Sequence, residues 1–557
     1  MKAARVRSRV TRRFATNQPG GCRERRFTGV IDSRDFPQPG IAGYWKGVRF
    51  AVCGADPLPM TWREYHESTK HSVESLRRAA HVLDWANMPD PFRHYEGVPV
   101  LDLPADPPIP ETPTLEVLHG AAGTSPAGDG STFLSQLLFY SAAISAAKRV
   151  PSTGDRYALR VNPSSGNLHP TEFHFLTRGV KDWPDGLYHY RPSVHMAEQR
   201  AQGGVELRLA GNSAPIVFVL TSIAWREAWK YRDRAYRYCL HDVGHAWQAL
   251  ALAARAIGCD SFAIGHFPDD EVARVCRLHD DEWPMLIVEL GGRPIPVREP
   301  HVCEPRAGGA VWYGGHANLL SREGIAYPRI DGIHGATKLS DSAFCGISPV
   351  EPPPSGSGKI KLPPSTSSGR TFGEVARMRR SALDFLGGVQ SISLAQLSAI
   401  LAVTNRPVCA DFGGARFIQL YLYAHRVDGL EPGVYRFWPE SSELEQTRCG
   451  DQRVAAAGLS LAQELAGNAC VAFSMIGDIE RAVRAHGDRG YRYVHFEAGA
   501  IGHRLYLAAE ALGLGATGIG AFYDEEVHRY LNVAPEQGQV VYHFAIGYPA
   551  ADPRLEA

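Results

Sequence analysis

The chain carries itself twice. Residues 230–278 (KYRDRAYRYCLHDVGHAWQALALAARAIGCDSFAIGHFPDDEVARVCRL) lie over residues 485–533 (AHGDRGYRYVHFEAGAIGHRLYLAAEALGLGATGIGAFYDEEVHRYLNV) at a constant shift of 255, with 19 of 49 positions identical and no gap. GLYHYRP at 186–192 and GVYRFWP at 433–439 are a second matching pair. A repeat of this length is a domain, not a solenoid unit. The fold must therefore accommodate two related domains in tandem. Between them VEPPPSGSGKIKLPPSTSSGR (350–370) reads as a semi-extended linker, rich in Pro, Ser and Gly. The expected boundaries are a disordered basic extension over 1–59, a leader segment over 60–120, domains over 121–345 and 371–557, and a linker over 346–370. The arginine-rich start has no apolar core of a secretory signal, and Met60 is an alternative first residue.

Each copy reads in the same order. A strand (FHFLTRG; FIQLYLYAHR) leads to a second (GLYHY; GVYRF) and a third (IVFVLTS; CVAFSMI). A long helix follows, expected over 242–257 and 497–512. In the first copy Val243, Ala246, Trp247, Leu250, Ala254 and Ile257 recur at helical spacing. Gly258 and Gly513 stand where such a helix would be capped. Then come a strand, an acidic helix start and a last strand. The predicted class is α+β, a mixed sheet with long helices in each of two tandem domains.

Composition narrows the function. Zero formal net charge and 44% hydrophobic residues ask for neither nucleic acid nor a membrane surface, and no apolar run approaches the roughly 18–20 residues of a membrane span. Ten cysteines without a CxxC pair read as reduced thiols of a cytoplasmic protein. Three apparent motifs fail. Gly513, Gly515 and Gly518 satisfy GxGxxG, but a helix precedes them and a strand follows, the reverse of a dinucleotide fold. SGSGK at 355–359 lacks the first glycine and the Ser/Thr of a phosphate loop. The histidines of HESTKH (66–71) are five apart, about 140° around a helix, and cannot share a metal. No metal site is expected.

NPSSGNLHP (162–170) is the stretch whose purpose is least obvious. Its residues are those of a surface turn, or of a loop that holds fixed dipoles against a flat polar ligand. RGYRY…EAG, then a helix ending GLGATGIGAF and followed by YDEEV, resembles the C-terminal half of the nitroreductase superfamily of FMN enzymes. RMRRSALDF (377–385) resembles that superfamily's Arg-Arg-Ser signature, and NPSSGNLHP its Pro-Ser-x-x-Asn loop. GLYHYRP, KYRDRAYR and the segment YHESTKH…LDWANMPDPFRHYEG (65–96) are similar to the SagB branch of thiazole- and oxazole-forming oxidases.

The resemblance implies an FMN cofactor. Arg379, Arg380 and Ser381 would take the phosphate, and Pro163, Ser164, Ser165 and Asn167 the ring edge. Arg160, Gly518, Ile519 and Gly520 would complete the site. Lys230 and Tyr231 match the branch's catalytic pair, with Arg226 and Arg232 as neighbours able to depress a lysine pKa. The copies differ: the counterpart of NPSSGNLHP is ADFGGARF (410–417), that of Lys230-Tyr231 is Ala485-His486, and TLEVLHGAAGTSPAGDGS has no Arg-Arg-Ser. One composite FMN site is therefore expected, with half two's arginines and half one's loop meeting across an intramolecular pseudo-dimer. Tyr236, Arg237 and Tyr238, which recur as Tyr491, Arg492 and Tyr493, are expected to line the interface. His169 and His245 are expected to be structural, and Arg160 to reach flavin, substrate or a surface partner. The implied activity is oxidation of a peptide or peptide-like intermediate, within a peptide-modifying complex or alone. An NAD(P)H-dependent nitroreductase or flavin reductase, and a non-catalytic partner of such a complex, stay open.

Overall fold

The computed structural model describes residues 60–556, apart from 79–81, 125–127, 208–213, 293, 298–308, 341–349 and 414–415. The expected 1–59 extension lies outside the described residues.

Half one is built on a sheet whose principal strands are β1 (Val100–Asp102), β2 (Thr171–Thr177), β3 (Gly186–Arg191), β4 (Met196–Gln202), β5 (Ile216–Ser222), β6 (Asp260–Ile264) and β7 (Trp283–Gly291). They run in the order β4-β3-β2-β5-β7-β6, with β1 on β4. Half two repeats the plan with β8 (Ile360–Lys361), β9 (Ile418–Ala424), β10 (Gly433–Trp438), β11 (Glu443–Cys449), β12 (Val471–Gly477), β13 (Gly515–Ile519) and β14 (Gln539–Gly547), in the order β8-β11-β10-β9-β12-β14-β13. The expected mixed sheet is not found. All pairings among these strands are antiparallel, because the last strand of each copy inserts between the strands before and after the long helix. The 350–370 segment is more than a spacer: Ile360 and Lys361 pair with Leu444 and Glu443 at the sheet edge. Leu362 is buried beside them.

The long helices are α3 (Ala235–Ala256) and α5 (Gly490–Ala511), each starting seven residues earlier than expected. Gly258 and Gly513 end them at φ +83° and +74°, the left-handed backbone that favours glycine after a helix. The helices pack on each other and are buried almost all round. They cross at Gly244 and Gly499, where a β-carbon on either would stand 3.0 Å from the other's Cα and closer still to Phe496 O or His241 O. Only glycine permits that approach.

Two buried ion clusters flank the crossing, and each is shared between halves. Arg234 and Arg237 of half one bind Asp524 of half two, both at 3.0 Å. Arg489 and Arg492 of half two bind Asp269 of half one, Arg492 at 2.8 Å. Burial alone would raise both carboxyls, but the paired guanidiniums bring them below the usual carboxylate value. Arg234 also donates to Thr69 O at 2.7 Å, and Arg237 to Thr69 Oγ1 at 2.8 Å and His66 O at 2.5 Å. These acceptors lie in the last turn of α1 (Trp62–Ser68) and at its C-cap, Thr69. At the other cluster Arg489 donates to Thr337 O and Arg492 to Thr337 Oγ1 and His334 O, at the end of α4 (Pro328–Ala336). YHESTKHS (65–72) and IHGATKLS (333–340) share four of eight residues and play the same part. The leader is thus part of the repeat.

Removing one partner of a buried pair costs about 3–5 kcal/mol. Asp524→Ala and Asp269→Ala should each lower unfolding stability by about that much, measured by denaturant titration at neutral pH. The loss should shrink in acid, because a depressed carboxyl stabilises above an unfolded value of about 3.9 and ceases to do so as pH falls through the folded one.

Candidate functional site

The hairpin Ile144–Arg149/Arg156–Arg160 delivers the chain into the 162–170 loop, which then enters β2. Gly166 (φ +60°), Asn167 (+60°) and His169 (+49°) all lie in the left-handed region, so the loop must be braced to persist. Asn167 Nδ2 donates to Ala158 O at 2.9 Å, and His169 N donates to Ser164 Oγ at 2.7 Å. The His169 ring is 3.1 Å from Asn167 Oδ1. Ser165 donates to Asp242 on α3 through both its amide (3.0 and 3.1 Å) and its hydroxyl (3.0 Å). The side chains of Ser165 and Asn167 therefore hold the loop itself. Pro163 is buried behind it, and Gly166 is its exposed point.

Lys230 and Tyr231 close α2 (Ala224–Tyr231) against that point. A β-carbon on Gly166 would lie 2.7 Å from Tyr231 Oη and 3.1 Å from Lys230 Nζ. The Tyr231 ring meets that of Tyr238 at 4.5 Å, and Tyr238 Oη donates to Gly520 O at 3.0 Å. The next residue, Arg232, has φ +53° and ψ −139°, a conformation that costs a non-glycine residue about 1–3 kcal/mol. Its repeat partner Gly487 adopts φ +61° and ψ −163°. Arg226 does not serve Lys230: it is spent on Glu172, His169 O and Asp90 O. Arg232 turns to Tyr327. The charged neighbour of Lys230 is instead Glu227, one helical turn away, and Glu227 touches Asp242.

The arginines of half two reach this loop. Arg379 Nε and Nη2 donate to Val161 O and Arg160 O, both at 3.1 Å. Arg380 donates to Ser145 O at 2.8 Å. Arg160 is buried, over the Phe92 ring and bonded to Pro91 O, so it has no surface partner. Arg379 Nη1, Arg380 Nε, and Arg160 Nε and Nη1 are buried without a hydrogen-bond acceptor. Burial holds Arg160 down at about 10 and Arg380 at about 9, the latter with the help of Arg379 and Arg377. Cations left in this state fit an anion such as a phosphate. Ser381 Oγ lies 2.8 Å from Tyr506 Oη, which also accepts from Gly518 N at 2.8 Å. Gly518 and Gly520 lie against the side chains of Tyr542 and Tyr238, and a β-carbon on either would overlap them. Ile519 faces the other way, into a hydrophobic cluster of half two. The His245 ring is 3.1 Å from Tyr542 Oη and is buried.

At the repeat-related position the loop of half two packs against half one. Ala263 N donates to Cys409 O and Asp411 N to Ala263 O, which binds the 409–412 loop along β6. Asp411 accepts from Gly265 N and His266 N at 2.8 and 2.9 Å. Phe412 stacks on Tyr493 at 4.1 Å and 5°.

Comparison with known proteins gives the lineage. The nitroreductase family model matches residues 140–292 and 376–548, more than half of the chain. The chain belongs to the nitroreductase family. A nitroreductase-like fold thus occurs twice in one polypeptide. Among its relatives is a protein of Methanocaldococcus jannaschii named as a nitroreductase, 32% identical over 169 residues, which are 29% of this chain and 83% of that protein. The microcin B17-processing protein McbC of Escherichia coli is 29% identical over 148 residues, covering 24% of this chain and 54% of McbC. The trifolitoxin-processing protein TfxB of Rhizobium leguminosarum is 26% identical over 155 residues, covering 26% and 41%. A crystal structure from Anabaena variabilis, described as a nitroreductase, superposes with a TM-score of 0.69 at 26% identity, covering 88% of this chain and 99% of that one.

Reading the sequence missed Glu227, Asp242, Tyr506 and Tyr542 in this member of the family. Glu227 could have been found: its repeat partner is Ala482, so it diverges together with Lys230 and Tyr231. Tyr506 and Tyr542 carry no such signal. Arg232→Gly should raise unfolding stability by about 1 kcal/mol, since relief of the strained backbone exceeds the added entropy of an unfolded glycine. A lower denaturation midpoint would refute the strain.

Proposed function

We propose that the chain is an FMN-dependent oxidoreductase that oxidises a peptide or peptide-like intermediate, using one composite site. The observation that carries this reading is the meeting, at one loop, of half two's unpaired arginine nitrogens and half one's Lys230-Tyr231 pair. The names of McbC and TfxB, both peptide-processing proteins, support the substrate class. Arg379, Arg380 and Ser381 would hold the phosphate, and the backbone of 163–167 with Gly518 and Gly520 would border the ring. Bound there, FMN would supply a two-electron acceptor.

The chain's own part is to place the substrate and remove a proton. Converting the ring C–C single bond of an azoline to the double bond of an azole releases a hydride and a proton, and Lys230 Nζ, beside the exposed Gly166, would take the proton. Tyr231 is held beside it by Tyr238, and burial together with Glu227 raises its hydroxyl well above the ordinary value. It therefore orients as a hydrogen-bond donor. The repeat-related position, closed by Asp411 and Phe412, would hold nothing.

Purified protein should carry about one FMN per chain, counted from its visible spectrum after denaturation. Two per chain would overturn the single-site reading, and none after adding FMN would favour a non-catalytic partner. Lys230→Ala should keep the flavin and lose oxidation of an azoline-bearing peptide by about a hundredfold or more. Rapid bleaching by NADPH without any response to peptide would favour the flavin-reductase reading.

A further inference from the structure

Glu227 is fully buried, and neither carboxyl oxygen meets a hydrogen-bond donor of the ordinary kind. What it meets is the carboxyl of Asp242, itself 2% exposed. Two buried carboxyls in contact cannot both ionise, and they hold together by sharing a proton. The arrangement is oriented. Asp242 already accepts three hydrogen bonds from Ser165, which fixes it as the acceptor and leaves Glu227 as the group that carries the proton. Glu227 and Lys230 stand three residues apart on α2, on the same face.

The other half supplies the contrast. Asp242 corresponds to Glu497, which accepts from Phe417 N and Ile418 N and has Ala482 where Glu227 would be. Ala485 and His486 replace Lys230 and Tyr231. The second carboxyl is present only where the Lys-Tyr pair is present.

We propose that Glu227 and Asp242 form a proton-sharing carboxyl pair, electrically coupled to Lys230, that receives the proton Lys230 collects during substrate oxidation. Glu227 acts through Lys230 and does not touch substrate. One proton moves from the lysine ammonium to the pair, which passes from a single negative charge to neutral. No electrons are involved. The titratable groups around the pair are Lys230 and Tyr231 on α2, Cys239 on α3 and Tyr542 from half two, with Tyr238 beyond Tyr231. Burial pushes Asp242 up to about 7 and Glu227 well above its ordinary value. This inference rests on the proposed oxidation for its purpose but not for its test.

Infrared spectroscopy of the flavin-loaded protein, titrated in H2O and D2O, reads the pair directly. The wild type minus E227Q difference should contain the carbonyl band of a carboxylic acid at neutral pH; Glu497, common to both proteins, cancels. In K230M the midpoint of that band should move to higher pH, because a cation that favours the carboxylate is gone. E227A, the residue half two carries, serves if E227Q does not fold. With an azoline-bearing peptide, E227Q should slow flavin reduction about tenfold or more and shift the pH profile, with FMN content unchanged. The proposal is overturned if the difference band is absent, or if the midpoint is the same in K230M. A band that behaves as expected in a protein no peptide reduces would overturn the proposed oxidation and leave the coupled pair standing.

Discussion

The contact of Gly244 with Gly499 sets everything else in place. Two buried helices touch backbone to backbone there, and the sheets, loops and termini of both halves are arranged around that crossing. The reciprocal clusters fix the angle: each half contributes two arginines and one aspartate, and neither cluster is complete within its own half. Burying such charges is unfavourable unless every partner is present. The halves therefore assemble in one register. Thr69 and Thr337 satisfy remaining guanidinium donors, which makes the two leader helices part of the joint.

That joint explains why the candidate site belongs to neither half. Arg379 of half two donates to the backbone of residues 160 and 161, at the entrance of half one's loop. A symmetric pair of chains would build this arrangement twice. Fusion into one chain removes the obligation, since each half can then change alone. The second position differs: Asp411 binds backbone amides and Phe412 stacks against Tyr493.

Around the remaining site the protein tolerates features that cost stability. Three left-handed residues shape the 162–170 loop, Arg232 holds a glycine-like conformation, and several arginine nitrogens have no acceptor. Strain and unpaired polar groups persist only where the surroundings enforce them. Here the enforcement is visible in Asp242 beneath Ser165 and in Tyr238 beneath Tyr231.

The sequence alone determined the duplication, the order of elements and the capping of the long helices, because periodicity and glycine placement are local and survive in each copy. Lys230, Tyr231, Arg379 and Arg380 were marked by their resemblance to the family's motifs, and the differences between copies then set them apart. Whether the sheets were mixed or antiparallel was not legible, since strand direction depends on where the last strand inserts. The shared leader was hidden by a match of only four residues in eight. Only the tertiary structure decided that Ser165 and Asn167 brace their own loop, that Ile519 turns into the core, that Arg226 serves Glu172, and that Glu227 meets Asp242. The physical reason is common to all four. A polar side chain's role is set by the partner that satisfies it after burial, and those partners come from chain segments far away in sequence.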